Sequence, residues 1–137
     1  MQASPNERSP EHWRLTTDAD GVACLAIDKA RATLNTLSRA VLEELDALLS
    51  RLELEKPKAL IVTSAKAGFI AGADIREFVS LKSSEEAFQM IRAGQGLMDR
   101  LSALPFPTVA AINGFALGGG LEVALACRYR VCVDDSS

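Results

Sequence analysis

Three short apolar runs, separated by stretches of helical periodicity, constrain this chain more than any other feature. They are Ala59 to Ser64 ("ALIVTS"), Thr108 to Asn113 ("TVAAIN") and Tyr129 to Val133 ("YRVCV"). Runs of this length, rich in β-branched residues and bounded by turn signals, read as buried strands. Strands that alternate with helices need crossover connections, so the pattern predicts an α/β fold with a mostly parallel sheet. Upstream, His12 to Thr16 and Val22 to Ile27 flank Asp18-Ala19-Asp20-Gly21 and read as two strands around a turn.

The intervening helices carry their own signals. Ser38 is a plausible N-cap, followed by Val41, Leu42, Leu45, Leu48, Leu49 and Leu52 at helical spacing, and Glu55-Lys56-Pro57 ends that helix near Leu54. A short helix is expected around Ile75 to Ser80 and a longer one from Ser84 to Leu104. The longer one has a capped start at Ser83-Ser84-Glu85-Glu86 and a stripe of Phe88, Ile91, Leu97, Met98 and Leu101. Gly94 and Gly96 interrupt it, each at a cost of ~1 kcal/mol against alanine. After Pro105 and Pro107, a last helix over Leu121 to Cys127 joins the final two strands.

A length of 137 residues suits one domain, and a net charge of −3 argues against a nucleic-acid or polybasic membrane surface. No apolar stretch approaches the ~18 residues of a membrane span. Residues 1–11 lack the apolar core of a secretory signal and read as a polar, disordered leader, with the domain over 12–137. Cys24, Cys127 and Cys132 sit in apolar runs, which predicts buried free thiols in a reducing, cytoplasmic setting. With His12 the only histidine and no Cys-x-x-Cys, no metal site is expected. Trp13 and Phe115 are assigned to the core.

Chemistry concentrates in two loops, each following a buried strand and leading into a helix, the place where α/β sheets collect ligands. The first holds Ala71-Gly72-Ala73-Asp74, the second Gly118-Gly119-Gly120. Small residues let backbone N–H groups approach a ligand, and a helix start leaves such donors unsatisfied. Together they are able to present two N–H groups to one developing negative charge. A tight turn packed under a neighbour is the competing account of the glycines. Glu122 follows in the first turn. Half-buried among Leu121, Val123 and Leu125 it would suit proton transfer; solvated, it would simply complement the helix dipole. Asp74 reads as a helix cap, while Lys66 and Arg76 flank the first loop as phosphate contacts or as solvated charge. Asn113-Gly114 reads as a turn.

"AGFIAGADIREF" followed by "PTVAAINGFALGGGLEVALACRYRV" resembles the enoyl-CoA hydratase/isomerase (crotonase) superfamily, from about His12 onward. The wording around "GGGLEVALACRYRV" is most similar to the N-terminal hydratase region of multifunctional fatty-acid oxidation α subunits. The resemblance implies a crotonase-like spiral of ββα units, here its N-terminal part, binding an acyl-CoA thioester as substrate with no cofactor. It implies an oxyanion hole of the Ala73 and Gly119 N–H groups, with Ala71 beside the CoA adenine and Gly72, Asp74, Gly118, Gly120 and Lys66 around the substrate. Glu122 matches the first of two catalytic glutamates that add water across a 2-enoyl-CoA double bond in β-oxidation. The second belongs to a Pro-Glu segment beyond Ser137, so the chain reads as a fragment that hydrates poorly or not at all. Arg128 stands where many members carry Asp. Implied partners are further copies of the chain or a thiolase β subunit. Other crotonase reactions (isomerase, racemase, thioester hydrolase) and a non-catalytic acyl-CoA or protein-binding module are the alternatives.

Overall fold

The computed structural model describes residues 9–134. Its elements are β1 (Trp13–Thr17), β2 (Val22–Ile27), α1 (Arg39–Glu55), β3 (Ala59–Ser64), α2 (Ile75–Val79), α3 (Ser84–Ser102), β4 (Thr108–Ile112), α4 (Gly119–Ala126) and β5 (Tyr129–Cys132). The strands form one five-stranded sheet in chain order. β1 and β2 are an antiparallel hairpin, and each later strand joins its predecessor in parallel. Every crossover therefore steps one strand further in the same direction, a staircase of strand and helix.

Alternation sets the core. Ala23, Leu25 and Ile27 of β2 and Leu60 and Val62 of β3 are buried. From α1, Val41, Leu45, Leu48, Leu49 and Leu52 project at helical spacing into the same cluster. Fully burying such a side chain contributes about 1.5–3 kcal/mol. Trp13 is buried as its apolar context predicts, and its indole Nε1–H donates to the Val41 carbonyl at 2.9 Å. The Ser38 hydroxyl caps α1 by accepting from the Val41 N–H. Gly94 and Gly96 remain inside α3, with open space where a Cβ would stand.

Several expectations are corrected. Only Cys127 of the three cysteines is buried; Cys24 is half-buried, and Cys132 is exposed because nothing covers β5 among the described residues. Tyr129, Val131 and Val133 are exposed with it. Phe115 is 40 % exposed rather than core: its ring lies over Gly68, where a Cβ would come within 2.6 Å of it, and its other side faces out. The α3 stripe is half covered: Leu97 and Leu101 are buried where α3 packs against α1 and α4, while Phe88 and Ile91 lie open. Asn113 is more than a turn residue, because its amide donates to the Lys66 carbonyl at 2.7 Å.

Of the leader, residues 1–8 lie outside the described residues, as do the last three of "VCVDDSS". Glu11 is exposed but held: its N–H donates to Glu44 at 2.8 Å and its carboxylate pairs with Arg31. Among the described residues no helix is long and apolar enough to cross a membrane, and no group of His, Cys, Asp or Glu is placed to hold a metal ion.

Candidate active site

The loops that follow β3 and β4 lie side by side. Ile70 bridges Ala116, and the Leu117 N–H donates to the Ile70 carbonyl at 3.0 Å. A third segment, between β2 and α1, joins them through a one-residue parallel bridge between Leu37 and Ala73. In that bridge the Leu37 N–H donates to the Gly72 carbonyl (2.8 Å), and the Leu37 carbonyl accepts from the Asp74 N–H (3.3 Å).

These bonds dictate where the next donor points. The peptide joining Gly72 to Ala73 is planar and trans, so its C=O and N–H point in opposite directions. With the Gly72 carbonyl turned toward Leu37, the Ala73 N–H is turned away from it. At the start of α4 the same logic holds. The Gly118 carbonyl accepts from the Glu122 N–H at 3.1 Å, which aims it down the helix and aims the Gly119 N–H out of the helix end. Among the described residues neither the Ala73 nor the Gly119 N–H has a hydrogen-bond partner. The Ala73 nitrogen lies 3.9 Å from the place a Cβ on Gly119 would occupy.

The three glycines do different things. Gly118 has φ 50°, a left-handed conformation that a side chain strains. Gly119 keeps the space between the donors open. Gly120 is buried against Ile70, whose carbonyl oxygen would sit 2.3 Å from an added Cβ. Packing and an open donor pair, the two competing accounts of this run, are thus divided between neighbouring residues. In the first loop Gly72 is likewise left-handed, at φ 107°.

Glu122 folds back over this helix start, with Oε2 3.6 Å from the would-be Gly119 Cβ. Its side chain is exposed rather than half-buried: Leu121 and Leu125 face outward, and only Val123 is buried. A groove of about 640 Å³ runs between α1, α2, α3 and the start of α4. Ala73, Gly119 and Glu122 all line it, and Leu42, Phe78, Met90, Ile91, Leu97 and Met98 supply apolar walls. The arrangement offers two neighbouring unpartnered backbone donors, the exposed Glu122 carboxylate beside them and an apolar trough alongside.

Asp74 caps α2 by accepting from the Arg76 N–H at 3.2 Å. Bonds from the Arg76 guanidinium and then the Lys29 ammonium hold its carboxyl well below the usual carboxylate range. Lys66 does not line the groove; it is paired with Asp28 at 3.1 Å and donates to the Ala32 carbonyl at 2.7 Å. Ala71 spends its N–H on the Asn35 carbonyl (2.8 Å). Arg128 is exposed, and its N–H donates to the Thr108 hydroxyl.

The residues that sequence reasoning passed over lie in "DKARATLNTL". Leu37 turns the Ala73 N–H, and buried Asn35 ties Lys29, Ser64 and Phe69 together. Lys29 is buried and pairs with Asp74. A lysine and an asparagine just after a buried strand were the available signal.

Residues 17–137 match the family model for enoyl-CoA hydratase/isomerase. The fatty acid oxidation complex subunit alpha of Vibrio vulnificus is 45 % identical over 91 % of this chain, which spans 18 % of that protein. The subunit of the same name from Idiomarina loihiensis is 45 % identical over 85 % of this chain and 17 % of its own length. Among solved structures, an enoyl-CoA hydratase from Bacillus anthracis superimposes with a TM-score of 0.80 at 33 % identity, over 88 % of this chain and 47 % of that one. On the family match and this shared fold, the chain belongs to the enoyl-CoA hydratase/isomerase family.

Proposed function

We propose that the groove binds an acyl-CoA thioester with its carbonyl oxygen between the Ala73 and Gly119 N–H groups, and that Glu122 moves protons during hydration of a 2-enoyl-CoA in fatty-acid β-oxidation. The observation that carries this reading is the pair of unpartnered donors facing one space beside a carboxylate. As water adds to the double bond, negative charge develops on the thioester oxygen, and preorganised donors stabilise it at that moment; one lost donor costs ~3 kcal/mol. The Glu122 carboxylate accepts a proton from the attacking water as its oxygen bonds to the β carbon, and the carboxyl so formed returns a proton to the α carbon, which restores the carboxylate and completes the addition. Ala71, Gly72, Gly118, Gly120 and Asp74 shape the cradle. Lys66 would meet CoA phosphates only by leaving Asp28.

The relatives' shared name and the family match support β-oxidation as the setting. The reaction so written needs no cofactor, since CoA arrives with the substrate. A cytoplasmic location fits the free thiols. Association with a thiolase β subunit or with further copies belongs to the same proposal.

Calorimetry of crotonyl-CoA against free CoA, with loss of the enoyl-thioester absorbance as the activity assay, tests the reading. The thioester is expected to bind more tightly than CoA, and Glu122→Gln to leave that preference intact while cutting hydration at least ~100-fold. Equal affinity for the two ligands would refute the oxyanion role. Unchanged turnover in Glu122→Gln would refute the proton-transfer role.

A further inference from the structure

Lys29 stands where the two strands of the Leu37–Ala73 bridge are flanked by polar side chains. Thr36 precedes Leu37, and Asp74 follows Ala73. The Lys29 ammonium donates to both, to the Thr36 hydroxyl at 2.6 Å and to Asp74 Oδ2 at 3.0 Å. The Lys29 and Asp74 side chains are each only 9 % exposed. Lys29 itself is fixed, because its N–H donates to Asn35 Oδ1 at 3.0 Å.

The two segments are also joined before the bridge by Ala71 N–H to the Asn35 carbonyl (2.8 Å) and beyond it by Arg39 N–H to Glu77 (2.9 Å), but at Ala73 itself the bridge is one residue long. Its two backbone bonds are 2.8 and 3.3 Å long, and the second is longer than an ordinary N–H···O bond. A charged hydrogen bond on each side of it closes the fork and resists rotation of the Gly72–Ala73 peptide. Arg76 does not duplicate this function. It is 83 % exposed and bonds Asp74 from two residues away, so it holds the loop to α2 and not to the Leu37 segment.

We propose that Lys29 is a positioning residue for the oxyanion site: by stapling Thr36 to Asp74 across the Leu37–Ala73 bridge, it fixes the direction of the Ala73 N–H. The inference rests on the thioester reading given above. It assigns Lys29 no contact with substrate.

The test uses a chromophoric aryl-conjugated enoyl-CoA, whose absorbance shifts to the red when its thioester carbonyl is polarised, together with binding of free CoA as a control that lacks the carbonyl. Wild type is expected to red-shift the probe. Lys29→Met is expected to lose at least half of the shift per bound probe while the Kd for CoA changes less than about twofold, and Lys29→Arg to restore most of it. A purely structural role would lower the melting temperature and the bound fraction but leave the shift of the bound probe intact, and that result overturns the proposal. Should Lys29→Met fail to fold, Thr36→Val removes one anchor and leaves the ion pair. A partial loss of shift is expected there, and a full shift overturns the proposal. If wild type binds the probe without any red shift, the thioester reading itself fails and the role of Lys29 falls with it.

Discussion

Gly120→Ala puts the packing of the α4 start to a quantitative test. The added Cβ would stand 2.3 Å from the Ile70 carbonyl oxygen, 2.7 Å from Ile70 Cβ and 2.9 Å from Ile70 C, against an ordinary carbon contact of about 3.5–4.0 Å. Two of those atoms are main chain, so no rotamer change relieves the clash, and α4 must move off the first loop. Overpacking of this kind costs about 1–3 kcal/mol. Alanine returns up to ~1 kcal/mol of helix propensity, less at the second residue of a helix than in its middle. The net loss is about 1–2 kcal/mol, or about 4–8 °C in Tm for a domain of this size. Gly94→Ala is the matched control. It lies inside α3 with nothing within 4 Å of the new methyl, and it is expected to raise Tm by a few degrees. Thermal unfolding followed by circular dichroism reads both. A Gly120→Ala melt at or above wild type would show that the approach of α4 to Ile70 is not the tight contact on which the donor geometry depends.

Gly119→Ala should behave differently. Its methyl meets the flexible Leu37 Cδ1 at 2.9 Å, so the fold largely survives, but it stands between the donors and abolishes the preference for crotonyl-CoA over CoA in calorimetry. The lowered Asp74 pKa gives a signed pH effect, since a depressed folded-state value stabilises above the unfolded carboxylate range. The stability gap between wild type and Asp74→Asn is therefore full above about pH 4 and narrows as pH falls toward the folded-state value; urea unfolding across acid pH measures it, and a gap that widens in acid contradicts the account. Among the thiols, burial pushes Cys127 up to about 11, whereas Cys132 is exposed. A chromogenic thiol reagent should label Cys132 rapidly and Cys127 only on unfolding, and Cys132→Ser should remove the fast phase.

What the sequence disclosed follows the range of the forces involved. Helix and strand limits came within a residue or two because they rest on local events: the Ser38 hydroxyl reaching Val41 N–H, Asp74 reaching Arg76 N–H, the two-residue alternation of β2. Periodicity, however, says which side of a helix is apolar and not how much of it is covered. Phe88 and Ile91 continue the α3 stripe correctly and still lie open, whereas Leu97 and Leu101 further along the same helix are buried. Counting from the glycines puts Glu122 in the first turn of its helix, but its exposure depends on what stands over Leu121 and Leu125. Lys29 and Asp74, 45 residues apart, meet through the parallel register of β2 and β3, which no local pattern encodes.

The candidate site was legible mainly through what it excludes. Its donors are main-chain N–H groups that any residue but proline carries, so Ala73 offers no side-chain signature. Glycines 72, 118, 119 and 120 stand out because a Cβ there would be strained, would crowd Leu37 or would strike Ile70. What the sequence does not display is the bonding around them: the Leu37 N–H on the Gly72 carbonyl, the Glu122 N–H on the Gly118 carbonyl and the Lys29 ammonium on Asp74. A substitution at Ala73 that keeps the backbone would leave its N–H in place. If the thioester reading holds, the vulnerable positions are the glycines that permit the approach and the residues of Asp28 to Leu37 that brace the Ala73 segment, and substitutions there are expected to weaken thioester recognition as much as loss of Glu122 weakens turnover.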